Sequence, residues 1–211
     1  MSWMSLTTEE QAGPETKQIY KFLGENWGFV PNYFQALGGH PQLLQDQVNL
    51  FTHVMFQDEG RALPRIVREQ VALVVSGINL SNYCLAAHLE ILGRMGIDKK
   101  ISRKLALDYE SAPVEPNVMA LFRFADKLSR HPADVEKADV DELRKHGWND
   151  DAILETTLVA SLYACANRFS AGIGLVRRLL SSDDRRNLIR IYAAQTGKRT
   201  LSTFGRGLTG G

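Results

Sequence analysis

Cysteine is scarce in this sequence. Only Cys84 and Cys165 stand in 211 residues, which excludes a disulfide framework and leads us to expect a reducing, cytoplasmic setting. No apolar run reaches the roughly 18 residues that a membrane-crossing helix needs, so no membrane partner is expected. The N-terminus, MSWMSLTTEEQAG, has no basic region followed by an apolar one, and no signal peptide is expected. Neither sign of charge dominates, since the formal net charge is +1. With no basic stripe interleaved with aromatics, nucleic acid is not an expected partner. A glycine-rich phosphate loop is missing, and no second His or carboxylate stands at i±4 from His88. No metal or cofactor is therefore expected. Period-two alternation is missing as well, which points to an all-α chain.

Apolar residues make up 44% of the chain, enough for one sizeable core. They recur at helical spacing almost throughout. Residues 7–10 (TTEE) read as a capping-type start for a helix carrying Ile19, Tyr20, Phe22 and Leu23, with Gly24 or Gly28 as its end. A short segment with Tyr33 and Phe34 follows Pro31. Pro41 opens a helix that runs through Val48 and Phe51 to Met55. Residues 58–61 read as a solvated turn. Beyond Gly93 and Gly96, Ile97 and Asp98 open a short helix to Leu105, and residues 112–116 form a Pro-containing linker. A helix with Met119, Phe122 and Ala125 stops at His131-Pro132, because a residue before proline avoids helical geometry. Val140 and Leu143 mark a short amphipathic helix. Asn149 then caps a long apolar helix from Ala152 to about Ile173, expected to be buried on most sides. Within it, Cys165 is expected to pack in the core, and Arg168 to need a carboxylate partner.

The division expected is a single helical domain over residues 1–180, then a C-terminal helix and Gly-rich tail over 181–211. The tail carries Leu201, Phe204 and Leu208, which suggests docking on a neighbouring subunit of a homo-oligomer.

The chain is organised around residues 68–88, REQVALVVSGINLSNYCLAAH. Two helical runs meet at a turn near Ile78 and Asn79, which predicts an antiparallel helix hairpin. In such a hairpin, facing residues have numbers with a constant sum, here about 157, and Glu69 plus His88 satisfies it. Cys84 and His88 are i and i+4, one turn apart on one face. Ser81 is a good N-cap, placing Cys84 at N3, where the helix dipole and a nearby imidazolium would lower a thiol pKa. In that arrangement Glu69 orients His88, His88 takes the proton, and Cys84 attacks. Taken singly, a Cys in an apolar helix is ordinarily a small core residue and a lone His a structural one.

The spacing of Glu, eleven residues, Cys, two residues, Cys, three residues and His marks the AhpD-like alkylhydroperoxidases of the carboxymuconolactone decarboxylase superfamily. Glu69, Cys84 and His88 fall on its Glu, second Cys and His, and NLSNYCLAAH resembles the surrounding text. Residues 143–174, with NRFSAGIG, resemble its second half. Ser81 stands where the family has its first, resolving Cys. The resemblance implies an AhpD-like helical array and a thiol-dependent alkyl hydroperoxidase, with Cys84 attacking the peroxide and an external thiol reducing it. Cys165 is a less favoured reductant. Two other readings stay open. One is a decarboxylase-like lyase or proton-transfer enzyme using His88 and Glu69. The other is a non-catalytic helical oligomer or redox sensor.

Overall fold

The computed structural model describes residues 2–175, and every element in them is helical. The expected C-terminal helix, the Gly-rich tail and the domain boundary at residue 180 lie outside the described residues.

Helix α1 spans Pro14–Trp27 and ends at Gly28, whose φ of 84° is the left-handed cap geometry that glycine takes without penalty. It does not begin at residues 7–10. Gly13 is the N-cap and Pro14 sits at N1, where its fixed φ suits a helix start. The TTEE segment instead forms a turn in which Thr8 N–H donates to Gln11 Oε1 at 3.1 Å. Two further helices follow, α2 (Asn32–Gln35) and α3 (Pro41–Phe51). The chain then widens into a π-helical turn over Thr52–Phe56.

Helix α4 (Arg65–Ile78) is the centre of the molecule, with all residues from 67 to 78 buried. It is covered by α5 (Asn82–Arg94), α6 (Lys99–Leu107), α7 (Pro116–Arg130) and α9 (Asp150–Gly172). Helix α8 (Lys137–Lys145) packs on α7 and α9. A helix enclosed in this way needs apolar residues on every face, which is why residues 71–75 of α4 are an unbroken apolar run and its buried Arg68 and Glu69 need partners. Gly77 marks its closest neighbour: a Cβ there would stand 2.2 Å from the Ala106 carbonyl oxygen. Only glycine lets α4 and α6 approach so closely.

The α4–α5 connection is tight. Leu80 adopts φ 54°, uncommon for a non-glycine residue, and Ser81 N–H donates to the Ser76 carbonyl at 2.9 Å.

Two buried charges fix the approach to α4. Arg68 is fully buried and donates Nη1 to the Val54 and Gln57 carbonyls, each at 2.9 Å. Its Nη2 pairs with Asp58. The segment at 58–61 is therefore more than a solvated turn, because it supplies the counter-charge for a guanidinium in the core. Glu155 of α9 accepts the backbone N–H groups of Ala62 and Leu63 at 3.0 and 2.8 Å.

Helix α9 departs from expectation on its outer side. Leu154, Leu158 and Cys165 share an exposed stripe with Arg168. Cys165 is thus not a core cysteine. Arg168 takes no carboxylate among the described residues; it donates Nη1 to the Ala164 carbonyl one turn back, at 2.8 Å. An apolar composition does not reveal which face meets solvent once a stripe of leucines lies on the outside.

Candidate functional site

Three helices bring the candidate residues together. Helix α4 carries Arg65 and Glu69, α5 carries Ser81, Cys84 and His88, and α9 carries Tyr163, Asn167 and Ser170.

His88 Nδ1 lies 2.7 Å from Glu69 Oε2, and both side chains are almost wholly buried. The hairpin sum of 157 describes this pairing, because the turn is short enough to keep the two helices in register. Arg65 takes the other carboxylate oxygen, with Nε donating to Glu69 Oε1 at 2.8 Å. Its guanidinium also lies over the Phe56 ring, 4.2 Å from the centroid. Burial pushes the Glu69 carboxyl up, but His88 and Arg65 together outweigh it and hold the group below the usual carboxylate range. An ionised carboxylate only accepts, so Nδ1 of His88 carries the proton toward it, and Nε2 is the basic nitrogen of the neutral ring. Among the described residues, Nε2 has no hydrogen-bond partner. Arg65 is absent from the sequence reading, although its i,i+4 spacing to Glu69 is a usable signal.

Cys84 is the third residue at N3 of α5, as the Ser81 N-cap implies. Its sulfur meets a hydroxyl rather than the imidazole. Ser170 Oγ lies 4.0 Å from Cys84 Sγ. The Ser81 side chain makes no capping bond to the helix backbone. No hydrogen bond joins Cys84 to His88 among the described residues. The thiol pKa also departs from expectation. Burial pushes it up, and hydrogen bonds with Ser81 and Ser170 offset only part of that rise. Helix position favours the thiolate, but removal from water disfavours it, and at a residue 5% exposed the second effect wins.

Aromatic rings line the seam. Tyr163 packs edge-on against His88, with centroids 4.5 Å apart, and Phe51 lies 5.9 Å beyond it. Tyr33 packs at a tilt against Phe169, with centroids 4.8 Å apart, and its phenol pKa is pushed up, by burial first and then by Cys165 and Cys84. Burial, then Glu69 and Cys84, likewise raises Tyr163 well above the usual phenol range. The sequence reading places Tyr33 only in a short segment after Pro31 and does not name Tyr163, since each lies far along the chain from the hairpin. On the α9 side, Ser76 Oγ meets Asn167 Oδ1 at 3.2 Å, and the buried Asn167 Nδ2 has no partner among the described residues. Among the described residues, no group of three His, Cys, Asp or Glu side chains could hold a metal ion, and no helix is long and apolar enough to cross a membrane.

No family model matches the sequence, and no curated protein does. Solved structures do match. An uncharacterized peroxidase-related protein from Silicibacter sp. TM1040 is 26% identical with a TM-score of 0.76, over 89% of this chain and 95% of that one. An uncharacterized peroxidase-related protein from Ralstonia eutropha JMP134, described as an alkylhydroperoxidase AhpD core, is 24% identical with a TM-score of 0.76, over 87% and 94%. A variant of the debrominase Bmp8, in complex with 2,3,4-tribromopyrrole, is 20% identical with a TM-score of 0.69, over 89% and 96%. The chain therefore has the AhpD-like helical fold, and the structures it is similar to include peroxidase-related proteins of that kind.

Proposed function

We propose that this chain is a thiol-dependent peroxidase that reduces organic hydroperoxides through Cys84. The observation that carries the reading is the seam itself: a buried thiol at the start of α5, one turn from an imidazole held by a buried carboxylate. Similarity to peroxidase-related structures supports it.

The resting thiol is protonated, because burial raises its pKa. Attack needs a base, and Nε2 of His88 is the free basic nitrogen in the seam. In the reaction, the Cys84 sulfur bonds the distal peroxide oxygen and the O–O bond breaks. The electron pair leaves on the alkoxide, which takes the proton to become an alcohol. Cys84 is then a sulfenic acid. With Ser81 in place of a second thiol, an outside thiol forms a mixed disulfide with loss of water, and a second outside thiol releases Cys84. The external thiol and a homo-oligomeric assembly are part of this proposal.

A second reading has an observation of its own. Glu69 and His88 are paired without any bond to Cys84, which is all that a lyase-like proton-transfer enzyme requires. The two are separated by hydroperoxide consumption with a small dithiol reductant. Wild-type protein is expected to turn over well above Cys84→Ser, and equal rates would end the peroxidase reading. An activity that survives Cys84→Ala but not His88→Ala would select the second.

A further inference from the structure

We propose that Ser81 and Ser170 are positioning residues that hold the Cys84 sulfur between two hydroxyls and donate to it once its proton has gone. This rests on Cys84 being the reacting thiol of the proposed function, and it deepens that reading. The geometry comes from two helices. Ser170 approaches from α9, with Oγ 4.0 Å from Sγ. Ser81 approaches from the N-cap of α5, where its hydroxyl leaves the helix N–H groups uncapped. An N-cap serine that does not cap gives up a bond that ordinarily stabilises a helix. That hydroxyl is left free of the helix backbone, three positions before Cys84, and with Ser170 it offsets part of the rise in the Cys84 thiol pKa. Both serines are almost fully buried, at 7% and 1% exposure, so neither hydroxyl is tied up by bulk water.

A hydroxyl is both donor and acceptor. Beside the neutral thiol it can accept from S–H; beside the thiolate it rotates to donate. Two such groups therefore stabilise the anion in a pocket whose dryness otherwise disfavours it, and they do so without a second thiol that could close a disulfide. Ser76 makes a useful contrast. It lies buried on the same seam, but its hydroxyl meets Asn167 rather than the sulfur.

The test is the titration of Cys84 by ultraviolet thiolate absorbance in a full-length Cys165→Ser background, which leaves one thiol. The serine variants are made in that background, and Cys84→Ser serves as the blank. Ser81→Ala and Ser170→Ala are each expected to raise the titration midpoint by about one pH unit, a tenfold loss of thiolate at fixed pH. The double variant is expected to raise it further, and Ser76→Ala to leave it in place. Each change removes a single hydroxyl, and an unchanged circular dichroism spectrum checks that the fold is kept. A double variant that titrates with the parent, or a Ser76→Ala shift as large as the others, would overturn the proposal. The titration uses no peroxide. A midpoint shift without peroxidase activity would therefore remove the peroxidase reading alone.

Discussion

Glu69 and His88, nineteen residues apart, meet at 2.7 Å across the α4–α5 turn, and Arg65 closes the other side of the same carboxylate. Three side chains on two helices thus form one buried charge cluster. Its members depend on one another through Glu69, which holds Arg65 one turn back on α4 and His88 across the turn.

Removing the carboxylate should therefore cost stability. Glu69→Ala is expected to lower unfolding free energy by about 3 kcal/mol, the low end for breaking a buried pair, because Arg65 keeps some contact with water. Denaturant unfolding at neutral pH measures it. A loss under about 1 kcal/mol would contradict the cluster.

The same group sets an acid limit. The folded Glu69 pKa lies below its unfolded value, so its contribution is present above about pH 4.3 and is lost as pH falls through the folded value. Denaturation midpoints of the wild type should drop more steeply below pH 4 than those of Glu69→Gln. Parallel curves would refute the assignment.

The two cysteines should react in a set order. Cys165 is exposed, whereas Cys84 is buried and its thiol pushed up. With limiting alkylating agent near pH 7, peptide mass spectrometry is expected to find Cys165 modified first. Cys84 reacting first would show that its thiolate is more available than its burial implies.

Gly77→Ala should be severely destabilising, by about 3 kcal/mol or more, because its Cβ meets backbone rather than a movable side chain. Helices α4 and α6 would have to separate just before the turn that sets the Glu69–His88 register. Denaturant unfolding measures the loss, and a change within about 0.5 kcal/mol would show that α6 yields easily.

Glu155→Ala should loosen the start of α4 by stripping the Ala62 and Leu63 N–H groups of their acceptor. An unmet buried donor costs about 1–3 kcal/mol. Amide hydrogen exchange is expected to speed up at residues 62–68, and unchanged protection there would refute the role.

The hairpin was legible because it is local. Its turn spans a few residues, so the sum rule and the i,i+4 relation carry over into space with little error. Helix ends marked by Gly28, Pro41 and Asn149 were legible for the same reason, since capping depends on neighbours in the chain. Cys165 and Arg168 were misread because composition says how apolar α9 is, not which side faces out.

The sequence by itself determined the helical class and placed Glu69, Cys84 and His88 on adjoining faces, because backbone geometry repeats with a fixed period. Only the tertiary structure decided that Cys84 meets Ser170 from 86 positions away, and that its thiol is harder rather than easier to ionise. Solvent exclusion is a property of everything packed around a group, and no local spacing encodes it.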